Sequence, residues 1–265
     1  TSLKDDAGGD ANFDGDASWP GPGDWGRILF ADSSVDALTT LQYVEVRFGG
    51  STGSGLDIIS AAPAIADSVI ASNAGYGVKA NTQAAPKLQR NWILDNTAGG
   101  VWLGGTSTAT LSDNRLWGNG GYAVYMDASC YPAIAGNDAF DNVVNGVRVA
   151  GNVAFSQTWS SNLPYVIEGS LTITSGPSLT IQPGALVKFK DTASLLTVYG
   201  ALIADGTDAA PITFTSLRDD DAGGDTDNNG GIFWASPGDW QRIHFTALSD
   251  DGRDILRLTP AERRK

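Results

Sequence analysis

The stretch "PKLQRNWILDNTAGGV", Pro86 to Val101, decides the fold because it recurs. Asn73, Asn96, Asn119 and Asn142 are each 23 residues apart, and so are Val78, Val101, Val124 and Val147. Ile65, Leu88, Leu111 and Ile134 keep the same step, as do Ser68, Asn91, Asn114 and Asn137, and Ile70, Ile93, Leu116 and Ala139. Pro63, Pro86 and Pro132 follow it, with Ala109 where the fourth proline would stand. The unit reads P-x-[IL]-x-x-N-x-[IL]-x-x-N-x-x-x-G-V, and five columns in register over four copies exclude coincidence.

Short alternating apolar pairs with no helical half exclude the helical solenoids, and 23 residues are too few for a propeller blade. The unit fits one coil of an all-β parallel β-helix, a solenoid with two acidic loop insertions. Right-handed coiling is expected, since parallel crossovers strongly prefer it. Coils stacked at the ordinary strand spacing of about 4.8 Å, with about eleven coils for this length, predict a rod roughly 50 Å long. Equivalent residues then lie above one another, with aliphatic files inside and asparagine ladders hydrogen-bonding at the turns. Asparagine also tolerates the left-handed backbone that a tight corner requires.

The same register predicts outward files. Asp67, Arg90 and Asp113 stack in sequence and Arg115 stacks on Asp138, which reads as a solvated ion-pair ladder. A second file, Lys79, Trp102, Tyr125 and Arg148, offers rings that either stack on sugar faces or pack against another surface.

A longer repeat spans the chain. "TSLKDDAGGDANFDGDASWPGPGDWGRILF" from Thr1 matches "TSLRDDDAGGDTDNNGGIFWASPGDWQRIHF" from Thr215, one insertion apart. Residues 1 to 214 thus form one period of a tandem array, and Thr1 reads as the start of a piece of a longer chain. The organisation expected is a calcium loop and first coil over 1–40, regular coils over 41–152, less regular coils over 153–214, a second loop and coil over 215–250, and a tail or cap over 251–265. In that last segment Thr259, Pro260 and Glu262 form a helix-opening pattern.

The series "LTIQPGALVKF", "LTVYGALIADGTDAAPITFTS", "DDDAGGDTDNNG" and "PGDWQRIHF" resembles the repeats of bacterial secreted or surface proteins with right-handed parallel β-helix repeats, of pectate-lyase-like fold. The resemblance runs to about residue 250 and implies surface display, with no single activity attached.

Of the 265 residues 30 are acidic, and the formal net charge is −13, which disfavours nucleic acid as a partner. Twelve of those acids lie in the two clusters and their tails: Asp5, Asp6, Asp10, Asp14, Asp16, Asp24, Asp219, Asp220, Asp221, Asp225, Asp227 and Asp239. Asp10, Asn12, Asp14 and Gly15 spell D-x-N-x-D-G, and Asp225, Asp227, Asn229 and Gly230 spell D-x-D-x-N-G. Oxygens at positions 1, 3 and 5 of such a loop converge on Ca²⁺ because glycine at 6 turns the chain. Position 12 holds Gly21 and Ser236 instead of glutamate, so the shell must be completed from Asp5, Asp6 and Asp24, and from Asp219, Asp220 and Asp239. Like charges this close repel, and a divalent ion turns that cost into attraction.

One cysteine, Cys130, permits no internal disulfide, and one histidine, His244, builds no transition-metal site. Cys130 falls at a coil corner among apolar neighbours and reads as a buried, inert thiol. There is no signal peptide and no apolar run of membrane-spanning length. The reading is therefore an extracellular or cell-surface structural or adhesive rod, stabilised by calcium, with other copies of itself as head-to-tail partners and polysaccharide as a further one. Two alternatives stay open. One is a polysaccharide lyase or hydrolase drawing on Asp113, Asp127, Asp138 and Asp141; the other is a carbohydrate-binding module built on the Trp102 and Tyr125 file.

Overall fold

The computed structural model describes residues 1–6, 8–247, 249 and 255–256. The proposed helix opening at Thr259 lies outside the described residues. Nearly all regular structure is short strand in parallel ladders, and one 3-10 turn, Asp36–Leu38, is the helical piece among the described residues.

The alternation of apolar and polar residues in the 23-residue unit produces three strands per coil, because Asn and its left-handed predecessor break the chain at two corners. The coil from Pro63 runs Ala64–Ala66, Val69–Ala71 and Tyr76–Asn81, and each strand stacks on its equivalent one coil away. The register is 23 throughout the regular part: Ile65 faces Leu88, Leu88 faces Leu111 and Leu111 faces Ile134, while Val78, Val101, Val124 and Val147 form the file of the wide face. All eight residues are buried, at 5 % exposure or less.

Two asparagine ladders run beside these files. Asn73, Asn96 and Asn119 each donate from Nδ2 to Oδ1 of the asparagine one coil on, at 2.9, 3.0 and 2.8 Å. The same Oδ1 accepts the backbone N–H of the preceding rung, and the second N–H of each Nδ2 goes to a backbone carbonyl of the coil before: Val46, Ile70, Ile93 and, for Asn142, Leu116. Asn91, Asn114 and Asn137 repeat the pattern, with Ser68 as its first member. These amides are buried, and every polar valence in the interior rungs is used, which is the condition for burying an amide without penalty.

The left-handed residue is not the asparagine. It is the residue before it: Ser72, Asp95, Gly118 and Asp141 at one corner, with φ of 54°, 53°, 63° and 55°, and Asp67, Arg90, Asp113 and Gly136 at the other, with φ of 50°, 53°, 57° and 66°. Asparagine is chosen for its two donors and one acceptor. The corner is formed by its predecessor, a polar residue or glycine.

The three-sided section ends at Ala133–Ala135 and Asp138–Phe140. Beyond it the wide face carries long strands, Val144–Val153 and Tyr165–Ile173, and a further sheet takes over the opposite side: Gln157–Trp159, Ser178–Ile181, Ala201–Ala204 and Ile255–Leu256. The wide face then divides. Tyr165–Ile167 pairs with Val187–Phe189, and Ser170–Ile173 pairs with Leu195–Val198. Thr213–Ser216 continues one half and Arg242–Phe245 the other, so the second acidic loop leaves the wall at the division.

The rod has about 8 turns of roughly 23 residues, fewer than the eleven that length alone suggests. The two acidic segments account for the difference, since they leave the wall as loops, and at about 4.8 Å per coil the rod is roughly 40 Å long. Cys130 is buried as expected, and burial pushes its thiol up to about 11.

Replacing Asn119 by alanine strands three buried groups at once: the Asn96 N–H, the Asn96 amide and the Ile93 carbonyl. At about 1–3 kcal/mol for each stranded group, urea unfolding should show a loss of at least about 3 kcal/mol. Arg90→Ala, which removes an exposed ion pair with Asp67, should move the midpoint little. A loss for Asn119→Ala no larger than that for Arg90→Ala would show that the ladder does not hold the stack.

Candidate metal centre and outward files

The two acidic loops share one backbone design. Thr1 and Thr215 each donate a hydroxyl to the aspartate four residues on, Asp5 and Asp219. Asp10 accepts the N–H groups of Asp14 and Gly15 at 3.1 and 2.9 Å, and Asp225 accepts those of Asn229 and Gly230 at 2.9 and 2.8 Å. Position 4 of each loop is left-handed in a residue other than glycine, Phe13 at 57° and Asn228 at 51°, and the glycine at position 6 is left-handed in both, Gly15 at 64° and Gly230 at 69°. Two sequences that differ at the four loop positions between these anchors thus fold alike, because the first aspartate and the glycine set the turn.

Asp24 and Asp239 have another occupation. Asp24 accepts the Ser2 hydroxyl at 2.7 Å, the Lys4 ammonium at 2.8 Å and the Gly21 N–H at 3.0 Å. Asp239 accepts the Ser216 hydroxyl at 2.8 Å and the Ser236 N–H at 2.9 Å, with Arg218 at 3.6 Å. Each therefore pins the end of a loop to its beginning. The Lys4 hydrogen bond, with those of Gly21 and Ser2, holds the Asp24 carboxyl down to about 2.

In the second loop Asp220, Asp225 and Asp227 bring one oxygen each to within 4.8 Å of one another, the one such group of three among the described residues. Asp220 Oδ1 is buried and without a hydrogen-bond partner. Burial and the neighbouring Asp225 and Asp220 charges raise the Asp227 carboxyl; burial also acts on Asp225, but the Gly230 and Asn229 N–H groups outweigh it and lower that group. Asn229 donates to Asp227 at 2.6 Å, and its own oxygen accepts the Ile232 N–H. In the first loop Asp6 Oδ1 and Asn12 Oδ1 are the buried, unpartnered oxygens, and Asp6 is raised by burial and by the charges of Asp10, Asp14, Asp16 and Asp5. Hard oxygen donors, several of them orphaned, fit a calcium-type cation.

The sequence reading missed the support beneath the second loop. Lys188, fully buried, donates to the backbone carbonyls of Asp219 at 2.7 Å and Gly224 at 3.3 Å. Burial pulls its pKa down against the opposing pull of Asp219, Asp220, Asp227 and Asp225. On its other side the loop is stitched to the rod: Asn145 N–H donates to the Thr226 carbonyl at 2.7 Å, and Leu217 packs with Val144 and Val166. Asn145 is also the last rung of an asparagine ladder, accepting from Asn142.

The outward file on the wide face comes together as Lys79, Trp102, Tyr125 and Arg148 in successive coils. The Lys79 ammonium lies 4.9 Å from the Trp102 ring centre, Trp102 stacks on Tyr125 at 6.2 Å, and the Arg148 guanidinium lies 4.1 Å over Tyr125. The register partner of Arg148 in the next coil is the buried Val166, and Glu168, two residues on, takes Arg148 at 2.8 Å and also Lys190. The ring faces are thus turned to neighbours along the rod. On the narrow side, Arg90 pairs doubly with Asp67, at 2.6 and 2.8 Å. Arg115 sits in register with Asp138 as expected, but its guanidinium lies over the Trp92 ring at 5.0 Å, so the charge ladder stops there. Trp117 and Phe140, register partners stacked at 5.0 Å and each 40 % exposed, form an aromatic pair that the repeat pattern did not single out, because the file they share holds Ala71 and Leu94 in the two preceding coils.

A family described as "Right handed beta helix region" matches residues 28–181. The chain belongs to this β-helix family. The match agrees with the stacked parallel ladders and gives the coil its expected hand. No curated protein and no solved structure matches the chain. The matched β-helix region lies between the two acidic loops, so the family carries the rod and not the loops. No helix among the described residues is long and apolar enough to cross a membrane.

The Asp24 pin has a pH signature. Its pKa is depressed from about 3.9 in an unfolded chain, so its stabilisation is complete above that value and is lost as pH falls through about 2. Hydrogen-exchange protection of residues 1–24, corrected for intrinsic rates, should fall between pH 4 and pH 2. Asp24→Asn should show low and flat protection over the same range. Unchanged wild-type protection would remove Asp24 from that role.

Proposed function

We propose that this β-helix serves as an extracellular or cell-surface structural rod of stalk or adhesin type, with acidic loops braced by calcium. The observation that carries the reading is the convergence of Asp220, Asp225 and Asp227 around an orphaned, buried Asp220 oxygen. Three carboxylates against the single Lys188 ammonium leave two negative charges, which one divalent cation balances. Asn229, hydrogen-bonded to Asp227, stands beside the cluster as a further oxygen donor, and Asp219, which accepts the Thr215 hydroxyl, precedes Asp220 in the chain. Asp5, Asp6, Asp10, Asn12 and Asp14 supply the corresponding set in the first loop, while Asp24 and Asp239 hold the loop ends. Calcium at the millimolar level outside cells suits such sites.

The rod itself supports a mechanical role. Its buried amides are satisfied from coil to coil, and the cations of the outward file are engaged by neighbouring rings and by Glu168. Each coil adds length without a new core. The second loop joins Asp225 and Thr226 to Asn145, so a cation held there braces the end of a ladder.

Calcium should raise the thermal midpoint and excess chelator should lower it, by several degrees for a chain of this size. Asp220→Asn with Asp227→Asn should abolish most of the calcium response without lowering the midpoint in chelator, since the change also removes like-charge repulsion and leaves the Asp225 turn intact. A midpoint indifferent to calcium in the parent protein would refute the bracing role.

A further inference from the structure

The asparagine ladders end in a groove, and the chemistry there is unspent. The groove holds about 350 Å³ and is lined by Asp138, Phe140, Asn145, Asn162, Pro164 and Asp225 among others. Asn145 and Asn162 are the terminal rungs of the two ladders. Their Oδ1 atoms accept from Asn142 and Asn137, as interior rungs do. Their Nδ2 groups differ. Interior rungs donate both N–H bonds, whereas Asn162 donates one, to the Asn137 carbonyl at 2.9 Å, and Asn145 donates one, a long 3.4 Å contact to the Asp225 carbonyl. One amide N–H from each ladder is left over at the same groove.

The Asp138 carboxylate has no hydrogen-bond or ionic partner among the described residues, since Arg115, its register neighbour, is drawn onto Trp92. Phe140 is covered by Trp117 on one side and remains 40 % exposed. Two amide donors, a free carboxylate acceptor and an aromatic face converge on a space at the small end of the roughly 300–1,000 Å³ usual for ligand pockets.

The geometry points to a binding site for a single neutral sugar ring of a glycan. Vicinal hydroxyls both donate and accept, so they can answer the Asp138 carboxylate and the Asn145 and Asn162 N–H groups together, while the C–H face of the ring packs on Phe140. The unpaired Asp138 carboxylate sets a negative field that disfavours uronic acids and phosphates. The site lies on the narrow side of the rod, away from the Lys79 to Arg148 file. It goes beyond the structural reading by naming what the rod would hold, and it does not rest on the cation.

The test is titration of the whole protein, in saturating calcium, with the methyl glycosides of glucose, galactose, mannose and N-acetylglucosamine and with methyl glucuronide, followed by amide and methyl NMR shifts. At least one neutral glycoside should saturate, with shifts centred on Phe140 and Asn162, and glucuronide should bind at least about tenfold more weakly than glucoside. Asp138→Asn and Phe140→Ala alter partly exposed side chains outside the ladders and should each weaken binding about tenfold or more; Trp102→Ala should leave it unchanged. No saturation by any neutral glycoside, or affinity untouched by Asp138→Asn, overturns the proposal. Loss with Trp102→Ala instead transfers the site to the wide face and overturns it equally. Because calcium is present throughout, failure here leaves the loop reading to be judged by its own thermal test.

Discussion

The hydrogen bond from one asparagine side chain to the next, buried and repeated every 23 residues, is the constraint on which the rest of this molecule depends. Apolar files alone would tolerate a slip, since Val, Ile and Leu accept neighbours of similar shape with little discrimination. An amide ladder does not. Each Oδ1 must lie within reach of both the N–H and the Nδ2 of the preceding rung, and each Nδ2 must also reach a carbonyl one coil back. A shift of one residue would bury several unpaired polar groups, and that penalty fixes the register of all three faces together.

The outward surface inherits its order from this register. Lys79, Trp102, Tyr125 and Arg148 meet because their positions are equivalent in successive coils, and the file closes on itself through cation–ring contacts and Glu168. The acidic loops depend on it less directly. They are turned by their own aspartate and glycine, and tied off by Asp24 and Asp239. The second loop gains a seat only because the coil beneath presents Lys188 and the ladder ends at Asn145. Its three carboxylates converge on that seat; among the described residues the first loop has no equivalent group of three.

The departures from the sequence reading share a cause. Eleven coils were expected where about 8 exist, because a length divided by a period cannot show which residues leave the wall. Asp24 and Asp239 stand near the acidic runs, and proximity in sequence does not show that each also ties its loop end to Ser2 or Ser216, 22 and 23 residues away. Arg115 stands in register with Asp138, but a long side chain chooses among all neighbours within its reach, and Trp92 was the better one. Lys188 gave no signal at all. Its partners are backbone carbonyls at Asp219 and Gly224, and backbone groups carry no mark in a sequence.

The sequence by itself determined the architecture: the period, the inward files, the rungs at 73, 96, 119 and 142 and the turn-forming anchors of both loops are all local or strictly repeated features. Only the tertiary structure decided where the regular section gives way, which carboxylates are pins and which converge, and that two ladder ends, Asp138 and Phe140 share one groove with Asp225. A repeated pattern fixes what happens once per coil, because every copy meets the same neighbours. Contacts that occur once, between residues as far apart as Asn145 and Asp225, obey no period and exist only after the chain has folded back on itself.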